Sequence, residues 1–86
     1  MNDAEARLAE RLAQDLERVL GTGIVLEDVE IEGDAPAVIR AACLIDGRAA
    51  EIRAEGATVV EAMGEVIRMA AETRLSAAFW QLVGPG

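Results

Sequence analysis

ATVVEAMGEVIRMAAETRLSAAFWQLV, residues 57–83, is the longest stretch of periodic apolar residues in the chain, and the rest of the fold is organised around it. Thr58 followed three residues later by Glu61 has the spacing of a capping box, in which each side chain accepts a hydrogen bond from a free backbone amide. Gly84 and Pro85 follow the last periodic residue and are typical of a helix end. The stretch therefore predicts one helix of roughly 25 residues.

The apolar face of this predicted helix changes sides partway along. At about 100° per residue, the first apolar stripe comprises Val59, Val60, Met63, Val66, Ile67 and Ala70. After Thr73 the pattern inverts, because Arg74 and Gln81 project from the side that was apolar. The large apolar residues that fall on or beside the opposite side are Leu75, Phe79, Leu82 and Val83. The distal half must either bend near residues 73–76 or contact a different surface, such as another chain.

A helix and three strands precede this stretch. Residues 3–20 predict the first helix, whose apolar face comprises Leu8, Ala9, Leu12, Leu16 and Val19. Alternating or apolar runs predict strands over residues 24–32, 37–45 and 48–54. Gly33, Asp34, Ala35 and Pro36 form the turn between the first two strands. The predicted fold class is α+β, with the order αβββα and an extended C-terminal helix.

The strand register follows from the turn at Asp46-Gly47, which is a strong signal for a two-residue hairpin. This turn pairs the following residues on one face: Ile45 with Arg48, Cys43 with Ala50, Ala41 with Ile52, and Ile39 with Ala54. The first hairpin keeps the same parity if Ile31 pairs with Ala37 and Val29 with Ile39. The sheet is then a three-stranded antiparallel meander, and two helices cover one of its faces.

The second face of this sheet has a polar band and an apolar end. The register places Asp28 beside Arg40 and Ala42 beside Glu51 in the band. The apolar end comprises Ile24, Leu26, Ala42, Leu44 and Ala49. Because two helices cover only one side of a three-stranded sheet, this end is a candidate contact patch.

The length of the chain and its net charge limit the kinds of partner that we expect. A chain of 86 residues forms one domain and buries only about 60–65% of its unfolded surface, so such chains often gain stability by association. The net charge is −8, and the eight cations, all arginine, are scattered among sixteen carboxylates. Nucleic acid is therefore excluded as a partner. A second copy of the chain or a basic protein is expected instead.

Few residues offer chemistry for catalysis or cofactor binding. The chain has no histidine and one cysteine, Cys43, so it lacks the ligand set of a zinc site and the base that a cysteine nucleophile needs. Ser76 likewise has no histidine or lysine to activate it. The acidic run over residues 27–34 is spread too far along a strand for a compact metal cage. Glu51 and Glu55 lie on an open face rather than in a cleft. We expect no enzyme activity, no metal and no cofactor.

Neither end of the given sequence has the pattern of a membrane-spanning segment or of an export signal. The first residues lack a basic region followed by an apolar core, and the uncharged run over residues 75–86 is too short to cross a bilayer. A single cysteine cannot form an intrachain disulfide. These features favour a cytoplasmic protein without a membrane partner.

The order of elements over residues 3–73 resembles the double-stranded-RNA-binding-domain fold, and the similarity is greatest from residue 34 through Asp46-Gly47 to Gly56 and the second helix. The RNA-binding motif of that family is absent, since Val59, Val60 and Glu61 stand where its basic cluster would lie. The resemblance therefore implies the fold, and a docking or dimerisation role. Gly56, Thr58 and Glu61 with Ala62 also resemble the strand-helix junction of HicB-like antitoxins.

The sequence thus predicts a single domain over residues 1–86, in which residues 74–86 are an extension for docking or dimerisation. The expected function is that of a small acidic, non-catalytic interaction module that forms a homodimer. The alternative is an antitoxin-like or nucleic-acid-mimicking regulator that binds a basic protein. The predicted partner-binding residues are Leu75, Phe79, Trp80, Leu82, Val83, Ile24, Leu26 and Leu44.

Overall fold

The computed structural model describes residues 3–33 and 35–83, apart from the side chains of Ala4, Ala77 and residues 79–83. Its elements in chain order are α1 (Asp3–Leu20), β1 (Ile24–Glu32), β2 (Ala37–Ile45), β3 (Arg48–Gly56) and α2 (Val59–Val83). The strands form one antiparallel sheet in the order β1-β2-β3. The predicted α+β class and the αβββα order are therefore confirmed. Asp34, Gly84 and Pro85, to which the sequence assigned a turn and a helix end, lie outside the described residues.

Local chemistry explains where the helices begin and end. Gly21 has a φ of +80°, and its amide donates to the Glu17 carbonyl at 2.8 Å, so α1 ends in a left-handed residue. At the start of α2, the Glu61 amide donates to Thr58 Oγ1 at 3.2 Å, as the capping box predicts. The Glu61 carboxylate accepts from the Ala57 amide at 3.0 Å, one residue before the expected cap amide. The cap thus joins the helix to the segment that leaves β3.

The β2-β3 register is confirmed. Ile45 pairs with Arg48 and Cys43 with Ala50 across the Asp46-Gly47 turn, where both residues have positive φ as a tight hairpin requires. The register continues to Ala37 and Gly56, so β3 is two residues longer than predicted. The predicted inward position of Cys43 is also confirmed, because its side chain is only 1% exposed.

The core lies between one face of the sheet and both helices. α1 packs on β1, and α2 packs on β2 and β3. The buried side chains are Leu12, Leu16, Val29, Ala37, Ile39, Ala41, Cys43, Ile45, Ile52, Ala54, Ala62, Met63, Val66 and Ala70. Among the described side chains the buried set contains no polar residue, so burial of aliphatic surface holds the layers together. The buried set among these described side chains also contains no aromatic residue.

The predicted β1-β2 register is wrong by two residues. Ile31 pairs with Ile39 rather than with Ala37, and Val29 pairs with Ala41 rather than with Ile39. The β1-β2 pairing begins at Glu32 and Val38, and Ala37, the first residue of β2, pairs with Gly56 of β3 instead. A shift of two residues preserves the side-chain parity, so Val29 still faces the core. On the other face, Glu30 rather than Asp28 lies opposite Arg40.

A β-bulge at Glu27 overturns the predicted placement of the first part of β1. The register shifts between Leu26 and Asp28, so Leu26 pairs with Cys43 and Ile24 with Ile45. Ile24 and Leu26 therefore pack against the core, and placing them on the uncovered face was wrong. The physical reason is the carboxylate of Glu27, which strict alternation would bury beside Val29. The extra residue of the bulge keeps Glu27 exposed and turns the two apolar neighbours inward.

Candidate interaction surfaces

Arg74 fixes the point at which α2 leaves the domain. Its guanidinium donates to the carbonyl of Leu20 at 2.6 Å, to the carbonyl of Thr22 at 2.9 Å, and to the carboxylate of Asp46 at 3.1 and 3.2 Å. The side chain is 23% exposed. We call these contacts the Arg74 bridge. It satisfies the carbonyl of the last residue of α1 with a cation and ties both helices to the β2-β3 turn.

The Arg74 bridge also depends on Gly23. A β-carbon at this position would lie 2.5 Å from Asp46 Oδ1 and 2.9 Å from Arg74 Nη2, and Gly23 has a φ of +98°. The Asp46 amide donates to the Gly23 carbonyl at 2.7 Å, which adds a backbone contact to the ion pair. The arginine at this place in the pattern is therefore explained by contacts with distant parts of the chain, which the helical periodicity did not predict. Arg74 lies on the same side of α2 as the buried stripe and ends that stripe with its hydrogen bonds.

The part of α2 after Arg74 extends past these contacts. Residues 75–83, which we call the distal segment, add nine residues, or about 13 Å of helix. Leu75 is 69% exposed, and Ser76 and Ala78 are exposed beside it. α2 is uninterrupted through Val83, so the distal segment does not turn back over the sheet. The side chains of Phe79, Trp80, Leu82 and Val83 lie outside the described residues.

A shallow apolar groove lies between α1 and the first half of α2, and we call it the helix groove. Its volume is about 370 Å³, and its apolar lining comes from Leu8, Val60, Met63 and Ile67. Val60 is 76% exposed, so its predicted place in the core stripe was wrong. Gly64 lies in the same groove, and a β-carbon there would meet no atom within 4 Å. The groove therefore has room for a side chain from outside the chain.

Two charged residues of α1, Arg11 and Asp15, border the helix groove. Arg11 Nε lies 3.4 Å from the Asp15 carboxylate, and Arg18 Nη2 lies 2.9 Å from it. The rim of the helix groove therefore carries balanced charge rather than the acidic excess of the whole chain.

Val19, which was predicted to face the core, is 58% exposed further along α1, so that prediction was wrong.

The sheet face opposite the helices, which we call the open face, has two parts. Val25 is 55% exposed at its apolar end, opposite Leu44 in the register, and Ala49 follows on β3. Only Leu44 of the three predicted β-strand contact residues lies there. The polar part is a basin of about 250 Å³ lined by Asp28, Glu30, Arg40, Ala41, Ala42 and Glu51. Arg53 pairs with Glu55 at 3.0 Å beside it.

An arginine with two carboxylate partners lies on the outer side of α2. Arg68 Nη2 lies 2.6 Å from Glu65, and Arg68 Nη1 lies 2.5 Å from Glu72. The hydrogen bond from Arg68 lowers the pKa of Glu65, and the same contact raises the pKa of Arg68. All three side chains are well exposed, so these pairs contribute little to folding stability. They are nevertheless charges that an approaching surface would meet.

The groups considered for chemistry lie in three different places: the core, the distal segment and the outer side of β3. Burial, followed by the charge of Glu27, raises the pKa of the Cys43 thiol, which therefore stays protonated within the core. Ser76 is exposed on the distal segment, and Glu51 and Glu55 are exposed on β3. Over residues 3–33 and 35–83, no group of three potential metal ligands comes together. None of the helices in that part of the chain has both the length and the apolar character needed to cross a membrane.

No family model matches this chain, and no significant match exists among the curated proteins or the solved structures with which it was compared.

Proposed function

We propose that this chain is a non-catalytic protein-interaction module whose partner is a second copy of itself, held through α2. The observation that carries the proposal is the distal segment. It continues past the Arg74 bridge with Leu75 69% exposed. The sequence from residue 75 to residue 86 contains several large apolar residues and no charged residue. A helix that extends from its domain with an apolar side is a typical contact element.

Charge supports a contact through this segment. Each copy carries a net charge of −8, so two copies repel each other wherever their acidic surfaces face. The uncharged segment is a place where two acidic chains approach without opposing carboxylates. Burial of each large side chain there contributes about 1.5–3 kcal/mol before the cost of association is subtracted. A few such side chains decide the oligomeric state of a domain with a thin core.

The fold is consistent with a docking role. Its αβββα order is the one that the sequence shares with double-stranded-RNA-binding domains, and Val59, Val60 and Glu61 begin α2 in place of a basic cluster. We therefore propose a degenerate member of that topology that binds protein rather than RNA. A reduced Cys43 in the core suits the cytoplasm, which we propose as its location.

The open face supports a second candidate function. Asp28, Glu30 and Glu51 line the basin around Arg40, so carboxylates outnumber cations there. A basic partner protein would find complementary charge on this face, as an acidic antitoxin-like regulator or nucleic-acid mimic requires. In that case the free chain is a monomer and forms a one-to-one complex that weakens as salt is added.

Sedimentation of the full-length chain and three variants tests the first proposal. We expect a dimer for the wild type and a monomer for Leu75→Glu, because a carboxylate in the contact would be buried without a partner. Val19→Glu and Val25→Glu are matched controls, since both replace an exposed apolar residue elsewhere, and both should remain dimers. A wild-type chain that stays monomeric at high micromolar concentration would contradict the proposal. Loss of the dimer in Val25→Glu alone would move the contact to the open face.

A further inference from the structure

A second apolar stripe runs along α2 outside the core. It comprises Val60, Gly64, Ile67, Ala71, Leu75 and Ala78, which fall within an arc of about 80° when each residue turns about 100°. Every one of these residues is exposed or half-buried, and Val60 and Leu75 are the most exposed large apolar side chains among those that the structure describes on this helix. The stripe joins the helix groove at its start to the distal segment at its end. Large and small residues alternate along it.

This stripe has the same pattern in both directions from Ala71. Ile67 lies four residues before Ala71 and Leu75 four residues after it, and both are large. Gly64 lies seven residues before and Ala78 seven residues after, and both are small. Building on the proposed homodimer, we infer that two copies pair their α2 helices antiparallel, with the two-fold axis at Ala71. Small residues then face small residues and Ile67 faces Leu75, as a self-complementary interface requires.

The helix groove supplies a receiving surface for the partner's distal segment. In the antiparallel pair, the partner's Ala78 lies at the level of Gly64, where a β-carbon would meet no atom within 4 Å. The partner's following residues lie at the level of Val60 and continue along the groove toward Leu8. A parallel pair would place the two distal segments against each other and leave both grooves empty. Antiparallel pairing fills both grooves and opposes the two helix dipoles favourably.

The charges beside the stripe also favour the antiparallel arrangement. Arg68 and Glu72 lie on the same flank of α2, three residues before and one residue after Ala71. Reversal about Ala71 brings Glu72 of the partner copy to the level of residue 70, about 3 Å along the axis from Arg68. The same contact occurs twice by symmetry, so each guanidinium meets a carboxylate of the other copy. Parallel two-fold pairing would instead carry this flank to opposite sides of the interface, so Arg68 and Glu72 of the two copies would not meet.

Disulfide trapping at the axis tests this arrangement. Helices about 9 Å apart with Cα atoms about 2.3 Å from each axis bring two facing Cα atoms to about 4.4 Å. This distance lies within the range of about 4.4–6.8 Å that a disulfide spans. In a glutathione redox buffer, we expect most of the Ala71→Cys protein to form a covalent dimer. Wild type and Val19→Cys are the controls, because Cys43 is buried and Val19 is exposed away from the stripe. Both should run as monomers on a non-reducing denaturing gel.

A mixed pair determines the direction of the helices. Gly64→Cys and Ala78→Cys should each give little covalent dimer alone and a strong cross-linked band when mixed, because the two positions face each other only in the antiparallel pair. A parallel pair would instead cross-link each variant with itself. That result, together with a monomeric Leu75→Glu, would overturn the antiparallel inference and leave the proposed dimerisation function intact.

A substitution at Gly64 provides a measurement that does not depend on oxidation. Gly64→Leu adds a side chain into open space within the chain, so the thermal unfolding temperature of the monomer should not fall. It places that side chain against the partner's Ala78, so the dimer dissociation constant should rise by about tenfold or more. An unchanged dissociation constant would overturn the inference. A wild-type chain that never dimerises would overturn both this inference and the proposed function.

Discussion

The two halves of α2 are both rich in apolar residues but lie in different environments. The half from Val59 to Arg74 covers β2 and β3, and its side chains at Ala62, Met63, Val66 and Ala70 are buried. The distal segment continues the same helix beyond the domain, and Leu75 on it is mostly exposed. Apolar content alone therefore does not tell which half belongs to the core. Arg74, which contacts the β2-β3 turn, separates the half of α2 that stabilises the fold from the half that is available to a partner.

The largest expected difference between the halves is the response to side-chain truncation. Met63→Ala removes a buried side chain and should lower the free energy of unfolding by about 2–5 kcal/mol. Leu75→Ala should change the unfolding free energy of the monomer by less than about 0.5 kcal/mol, because its side chain is exposed. Chemical denaturation at low protein concentration measures both, so that association does not contribute. Equal losses in the two variants would show that Leu75 packs within its own domain.

A smaller effect is expected at the junction that positions the buried half. A β-carbon at Gly56 would lie 2.4 Å from the Ala62 amide nitrogen and 2.9 Å from the Glu61 carbonyl carbon. Since both are backbone atoms, Gly56→Ala must shift the first turn of α2 away from β3. We expect a loss of about 1–3 kcal/mol, typical of overpacking. Gly47→Ala is a useful control, because its β-carbon would meet no atom, although its φ of +85° carries a local cost. A lower thermal unfolding temperature for Gly47→Ala than for Gly56→Ala would contradict the close approach of Gly56 to α2.

The Arg74 bridge should contribute less than the buried apolar contacts. Arg74→Met keeps much of the apolar stem and removes the hydrogen bonds to Leu20, Thr22 and Asp46. A loss of about 1–2 kcal/mol is expected, reduced from the value for a fully buried charged hydrogen bond because the side chain is partly exposed. Arg68→Met is the matched control, since Arg68 pairs only with exposed carboxylates of its own helix in the described contacts. An unfolding temperature that falls more for Arg68→Met would contradict the assigned role of Arg74.

The smallest of these effects belongs to the cap of α2. Thr58→Ala removes the acceptor for the Glu61 amide and should cost about 1 kcal/mol. Thr58→Ser retains the hydroxyl and should recover most of that loss. Urea denaturation distinguishes the two variants. If serine fails to restore stability, the threonine methyl group rather than the cap would be the stabilising feature.

Local signals predicted much of the fold. The end of α1 follows from the glycines after Leu20 and the start of α2 from the Thr58 cap, and the Asp46-Gly47 turn sets the β2-β3 register without further information. These features depend on backbone geometry within a few residues. The first hairpin has no comparable tight turn, so the parity of Val29 and Ile31 could be predicted while the register could not.

Other features depend on contacts between distant parts of the chain. Periodicity assigned Val60 to the core, but Val60 lines the helix groove between α1 and α2 and is exposed there. The bulge at Glu27 could have been suspected from a carboxylate among inward positions, and recognising it would have moved Ile24 and Leu26 to the core face. The helical pattern indicated an inverted stripe at Arg74, because the groups that bind its guanidinium lie 28 to 54 residues earlier in the sequence. No local pattern identifies such partners.

The large sequence separation of the Arg74 contacts has a consequence for the order of folding. Its partners on α1, on the following loop and on the β2-β3 turn come together only after the sheet has formed and both helices have docked. We therefore expect these bonds to be absent from the folding transition state, so that Arg74→Met leaves the refolding rate nearly unchanged and accelerates unfolding. Stopped-flow kinetics would measure both rates, and a slower refolding arm would contradict this order. The orientation of the distal segment is then one of the last features that a newly made chain acquires, and incompletely folded copies do not present it in its final position.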